Sequence, residues 1–174
     1  MSNSDHRQHH QRFFYIFALL AMLTMAWFIY HAHTQQQAAP AAPLPEELAG
    51  LALTEVVAGA RAQRRLGRLH GTAIGFAEAY MVTYGEPGKK LVVWLGISPD
   101  AEEALFLYRE MDRRMPDTPF FQDRRELTFN DREVIEVSGQ GRKHYYWLEG
   151  RLNYWLEVEG PQDLDGRAAV EELL

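Results

Sequence analysis

Residues 143–160 read KHYYWLEGRLNYWLEVEG, and the pairing they imply decides the fold. Two runs rich in aromatic and aliphatic residues flank Gly150-Arg151, a dipeptide suited to a two-residue hairpin turn. With that turn, Glu149 faces Leu152 and the pairing runs back residue by residue. Tyr145, Trp147, Tyr154, Leu156 and Val158 then share one face, which reads as a core face. On the opposite face Tyr146 pairs with Trp155, His144 with Glu157, and Arg142 with Glu159.

Upstream, residues 126–129 and 133–138 read as strands joined at Asn130-Asp131, which extends the hairpin into an antiparallel meander. Ser98-Pro99 reads as a helix start, with Ser98 as N-cap and Pro99 in the first turn. Ala101, Ala104, Leu105, Tyr108, Met111 and Met115 give the following helix its apolar stripe, and Pro116 and Pro119 end it. Before it, residues 75–84 and 90–97 read as two strands across the turn at Glu86 to Lys89.

Residues 46–70 read as an interrupted helix. Ala58, Ala62, Leu66 and Leu69 fall on one helical face and Arg61, Arg64, Arg65 and Arg68 on the other. Gly59 and Gly67 each weaken it by about 1 kcal/mol relative to Ala. Residues 165–174 close the chain as a short helix. The order ββαββββα predicts an α+β domain: a mainly antiparallel sheet of five to six strands, with the helices packed mainly on one face.

A different signal precedes the domain. Residues 13–30, FFYIFALLAMLTMAWFIY, contain no charge, no Pro and no Gly. As a helix rising about 1.5 Å per residue they just cross a bilayer core. The run exceeds an ordinary signal-peptide core and ends in Trp27, Phe28 and Tyr30, residues suited to a bilayer interface. It therefore reads as a single uncleaved N-terminal transmembrane anchor. Arg7 and Arg12 precede it, while residues 31–45 contain no Lys or Arg, so residues 1–12 are expected to be a cytoplasmic tail. Residues 31–45, rich in Pro, Ala and Gln, form a tether that reaches roughly 45 Å when extended. Residues 46–174 then make one extracytoplasmic or periplasmic domain, carried on the cell (inner) membrane.

Composition narrows the function. The chain has 18 Lys and Arg against 24 Asp and Glu; without Asp5, Arg7 and Arg12, residues 46–174 keep 16 against 23, a net of −7. Such a domain is a poor general partner for nucleic acid, where phosphate contacts need excess cation. The absence of Cys removes disulfides, thiol catalysis and thiolate metal sites.

Motifs for catalysis and cofactors are lacking. The loop Ser138 to Gly141 is neither a nucleophile elbow nor a phosphate loop, and no H-E-x-x-H spacing occurs. Five of the seven His lie in the flanking segments, at positions 6, 9, 10, 31 and 33, so no obligate metal and no cofactor is expected. Two surfaces remain as candidates. His144, Tyr146, Trp155 and Glu157 form a candidate ligand platform, aromatic area beside a polar pair; its plainer reading is a face covered by the 46–70 helix. In the same pair, a hydrolase would use His144 as base and Glu157 to orient it. Arg61, Arg64, Arg65 and Arg68 form a stripe suited to lipid headgroups or an acidic partner, or equally to solvent. The sequence favours a membrane-anchored interaction module that serves a membrane-protein partner, with small-ligand binding or sensing as the alternative and no catalytic residues assigned.

Overall fold

The computed structural model describes residues 44–70, 75–115, 119–160 and 164–174, together with Met22, Thr24, Met25 and Trp27. The chain divides into two units, residues 1–39 and residues 40–174. In the first, the four described residues are helical, and Met22, Met25 and Trp27 are exposed. The rest of the expected anchor, the tail before it and residues 31–43 of the tether lie outside the described residues. Among the described residues, no helix is long and apolar enough to cross a membrane.

The second unit is built on one eight-stranded sheet, every adjacent pair antiparallel. Its strands are β1 (Glu47–Leu48), β2 (Leu51–Ala58), β3 (Glu78–Glu86), β4 (Lys89–Ile97), β5 (Phe121–Phe129), β6 (Arg132–Gly139), β7 (Arg142–Glu149) and β8 (Leu152–Glu159). Among the described residues three helices complete it: α1 (Gly59–His70), α2 (Ala101–Arg114) and α3 (Gly166–Leu173). The spatial order is β1-β2-β3-β4-β8-β7-β6-β5, two four-stranded meanders joined through β4 and β8.

The α+β class and the antiparallel sheet agree with the sequence; the strand number does not. Eight strands stand where five to six were expected, because β1 and β2 occupy residues read as helix. Ala49 and Gly50, both at positive φ (48° and 75°), turn the chain back, so that Leu48 faces Leu51. Thr54, Val56 and Val57 then favour strand through their branched Cβ atoms. The helix begins only at Gly59.

The helices also cover both faces, not one. α3 lies on the face of Tyr145, Trp147, Leu156 and Val158, where Ala169 and Val170 are fully buried. α1 and α2 lie on the other face: Ala62 and Leu66 pack on Val57, Ala79 and Met81, and Tyr108, Met111 and Met115 pack on Ile135 and Tyr146. Consecutive residues of a strand point to opposite faces. The aromatic run Tyr145, Tyr146 and Trp147 thus fills both layers at once.

Local chemistry sets the ends of α2 and α3. Asp100, not Ser98, caps α2, its Oδ1 accepting from the Glu103 N–H at 2.8 Å. Ser98 is instead fully buried at the end of β4, where its N–H donates to the Arg151 carbonyl at 2.9 Å. Asp165 caps α3 through the Arg167 and Ala168 N–H groups. Gly166 lets this helix start against the sheet, since a Cβ there would stand 2.6 Å from the Tyr145 ring.

Candidate functional site

The hairpin register places the four platform residues as their spacing implied. Tyr146 pairs with Trp155 and His144 with Glu157 across β7 and β8. Pairing continues from Trp155 to Trp94 and from Glu157 to Val92, so both rows run on into β4. The side chains, however, divide between interior and surface.

Tyr146 is completely buried. Its ring stacks on Trp155, centroids 5.4 Å apart and planes 7° from parallel, and α2 lies above it. Its hydroxyl donates to Asp112 Oδ1 at 2.7 Å. Asp112 also receives two bonds from the Arg124 guanidinium, at 3.0 and 3.1 Å. Burial works against the Asp112 charge, but the bonds from Arg124 and Tyr146 outweigh it and hold the carboxyl below its ordinary range. The phenol is pushed up, first by burial and then by Asp112. This chain of contacts fastens α2 and β5 to the sheet, and it leaves Tyr146 no face for a ligand. The covering helix is α2, rather than the 46–70 segment expected.

His144 is 6 % exposed. Phe121 meets its ring edge-on at 5.2 Å, and Trp155 lies 5.3 Å away on another side. Its Nε2 sits 3.3 Å from the Gly139 carbonyl oxygen, which assigns the proton of the neutral ring to that nitrogen; Nδ1 is buried with no hydrogen-bond partner. Glu157 does not orient it. That carboxylate bonds to Arg142, which also binds Glu159 at 2.7 Å, and Lys90 reaches Glu159 at 3.2 Å. A general base must reach a substrate proton. This imidazole faces aromatic rings and a backbone carbonyl instead, so the His144–Glu157 base arrangement is not formed.

Phe121 is the residue that sequence reasoning missed. It seals His144 because Gly139 makes room: a Cβ at Gly139 would stand 2.5 Å from the Phe121 ring. Of the two glycines in the loop, Gly141 supplies the turn, with φ of 73°, whereas Gly139 permits this close approach. No local signal announced it, since Phe121 meets Gly139 only through the β5–β6 pairing.

Burial lowers the His144 pKa, the Gly139 carbonyl and Glu157 opposing it and Arg142 adding to it. An unfolded histidine titrates near about 6.5, so this contribution to stability is complete above that pH and declines as the pH falls through 6.5 toward the folded value. The urea midpoint of the wild type is therefore expected to drop between about pH 7.5 and about pH 5.5, and His144→Phe to flatten that slope. Equal slopes in the two proteins would contradict the assignment.

The arginine stripe falls on α1, but not as one uniform face. Arg61 and Arg64 are exposed. Arg65 turns down onto the sheet, its Nη1 3.2 Å from Met81 Sδ and its Nη2 3.9 Å from Glu55. Arg68 lies in the last turn of α1, where its side chain is outside the described residues.

A pocket opens nearby on the same sheet face. It measures about 410 Å³, with Trp94, Val92 and Met81 among its apolar lining and Glu55, Glu86, Lys90 and Glu157 as its charged residues. Among the described residues, no group of three or more His, Asp or Glu is placed to hold a metal ion. No family model matches the chain, and no curated protein or solved structure matches it either.

Proposed function

We propose that this protein is a single-pass membrane-anchored interaction module, an accessory or assembly subunit whose α+β domain stands outside the cytoplasm and engages a membrane-protein partner. The observation that carries this reading is the uncharged run at residues 13–30, succeeded by a proline-rich tether and a single Cys-free domain. Residues 13–30 are long enough to enter a bilayer, and the charge of the flanks favours export of the tether and the domain. Arg61 and Arg64, exposed on the first helix after the tether, are suited to contacts with anionic headgroups or an acidic partner surface.

The domain adds a second support. Its buried histidine, His144, is turned inward and used for packing, and Glu157 is engaged by Arg142. The small-ligand alternative loses His144 and Tyr146 as contact residues, and keeps only the half-buried Trp155 and Glu157. Co-elution tests the reading. The full chain, extracted from its native membrane in a mild detergent, is expected to carry an integral membrane protein with it.

A further inference from the structure

His144 is shut in by a short piece of the sheet's edge. β5 is an outermost strand, bonded to the sheet on one side only. Its first cross-strand pairs, Phe121 with Gly139 and Gln122 with Ser138, are set apart from the rest by a bulge. There Asp123 and Arg124 together oppose Val137, and Asp123 stands at positive φ, 55°. Beyond the bulge, Arg124 pins the strand to α2 through Asp112, at 3.0 and 3.1 Å. Before it, Phe121 is the side chain that packs the segment down, against His144 and Trp155. Its neighbours Phe120 and Gln122 are both exposed.

The ring beneath is arranged for one proton, not two. Nε2 faces the Gly139 carbonyl, and Nδ1 is buried without a partner. A second proton would place a charge and a new donor where no acceptor stands, among groups shielded from water. The charged groups brought to this face are already engaged. Arg142 of β7 holds Glu157 and Glu159 of β8, and Arg124 of β5 holds Asp112 of α2 and Glu126 of β5. Glu133, near the start of β6, lies beside Tyr108. Lifting Phe121 would let water reach Nδ1, at the loss of two cross-strand pairs, and would leave the Arg124 contacts in place.

We propose that residues 120–122 form a proton-operated latch, shut over neutral His144 and lifted about the Asp123 bulge when the ring takes its second proton. The open segment exposes Phe121 and the edge of Trp155. Burial already holds the His144 pKa below its ordinary value, so the sign is fixed. The shut form is fully favoured above about pH 6.5 and loses ground as the pH falls through that value. At pH 5.5, one unit below, the open form gains by up to about tenfold. The latch stands independently of the membrane-module reading.

The test is native-state hydrogen exchange on the full chain in an uncharged detergent, read residue by residue at pH 7.5 and pH 5.5. Rates are divided by the intrinsic exchange rate at each pH. The protected amides among residues 121–123 and 137–139 are expected to lose up to about tenfold in protection at the lower pH. Urea below the unfolding transition should leave them unchanged while it speeds exchange in β4, because a small opening exposes little surface. His144→Phe is expected to remove the pH dependence. Phe121→Ala gives a second reading through the imidazole proton resonances, with the His144 pKa expected to rise toward about 6.5 once water reaches the ring.

Three results overturn the proposal: equal protection at the two pH values, exchange that follows β4 in its urea dependence, or an unchanged His144 pKa in Phe121→Ala. The second of these would mean that the segment opens only when the whole domain unfolds. None of the three bears on whether a membrane protein co-elutes with the chain.

Discussion

Trp147→Ala is expected to destabilise the domain by about 3–5 kcal/mol, the range for removing a fully buried large aromatic. Trp147 is 1 % exposed and stacks on Tyr154 with centroids 4.7 Å apart and planes 4° from parallel. It lies in the core that α3 closes, beside Tyr145 and Val134. The cavity left behind cannot refill, since strands bound on both sides hold its walls apart. Urea unfolding followed by circular dichroism measures the loss. Leu148→Ala, one residue on and on the opposite face, removes a half-buried side chain and is expected to cost well under half as much. Equal losses at the two positions would contradict the alternation on which the sheet is built.

Removal of residues 1–30 is expected to move the protein completely from the membrane pellet to the soluble fraction. A helix of some eighteen apolar residues partitions into a bilayer essentially irreversibly. The full chain should accordingly resist extraction with alkaline carbonate, and the shortened chain should need no detergent at all. The described residues of the second unit form apolar cores of their own, so residues 40–174 are expected to fold without lipid or detergent. Release of the full chain by carbonate would defeat the anchor reading. Retention of the shortened chain by bare lipid vesicles would instead assign the attachment to the domain surface, with Arg61 and Arg64 the first positions to change.

What the sequence made legible was local. The β7–β8 hairpin could be paired from its residues alone because Gly150-Arg151 fixes its register: Glu149 with Leu152, Tyr146 with Trp155 and His144 with Glu157 are found as cross-strand partners, and Arg142 meets Glu159 as an ion pair. α2, α3 and the Asn130-Asp131 turn follow for the same reason, since apolar stripes and positive-φ residues lie within a few positions of one another, although the α2 cap proved to be Asp100 and not Ser98. The 46–58 segment failed because its Ala and Leu are good helix formers, and the helical face of Ala58, Ala62 and Leu66 extends backward through them. Only the Ala49-Gly50 turn and pairing with β3 override that preference.

Long-range contacts were the other gap. Which helix lies on which face depends on β4 joining β8, a pairing between residues some sixty positions apart. Trp94 therefore could not be placed beside Trp155 from periodicity, and the pocket it lines was invisible. Nor could the seal on His144 be foreseen, since Phe121 arrives from β5, two strands away. The four platform residues do share a face, as their spacing required. The structure adds that two of them serve the interior.

The central claim is that this chain works by engaging a partner in the membrane. The most direct measurement isolates the full-length protein from its native membrane in a mild detergent and identifies by mass spectrometry whatever elutes with it. An integral membrane protein is expected at fixed stoichiometry, still bound through a second purification step. Elution of the chain alone, folded and at monomer size, would contradict the claim.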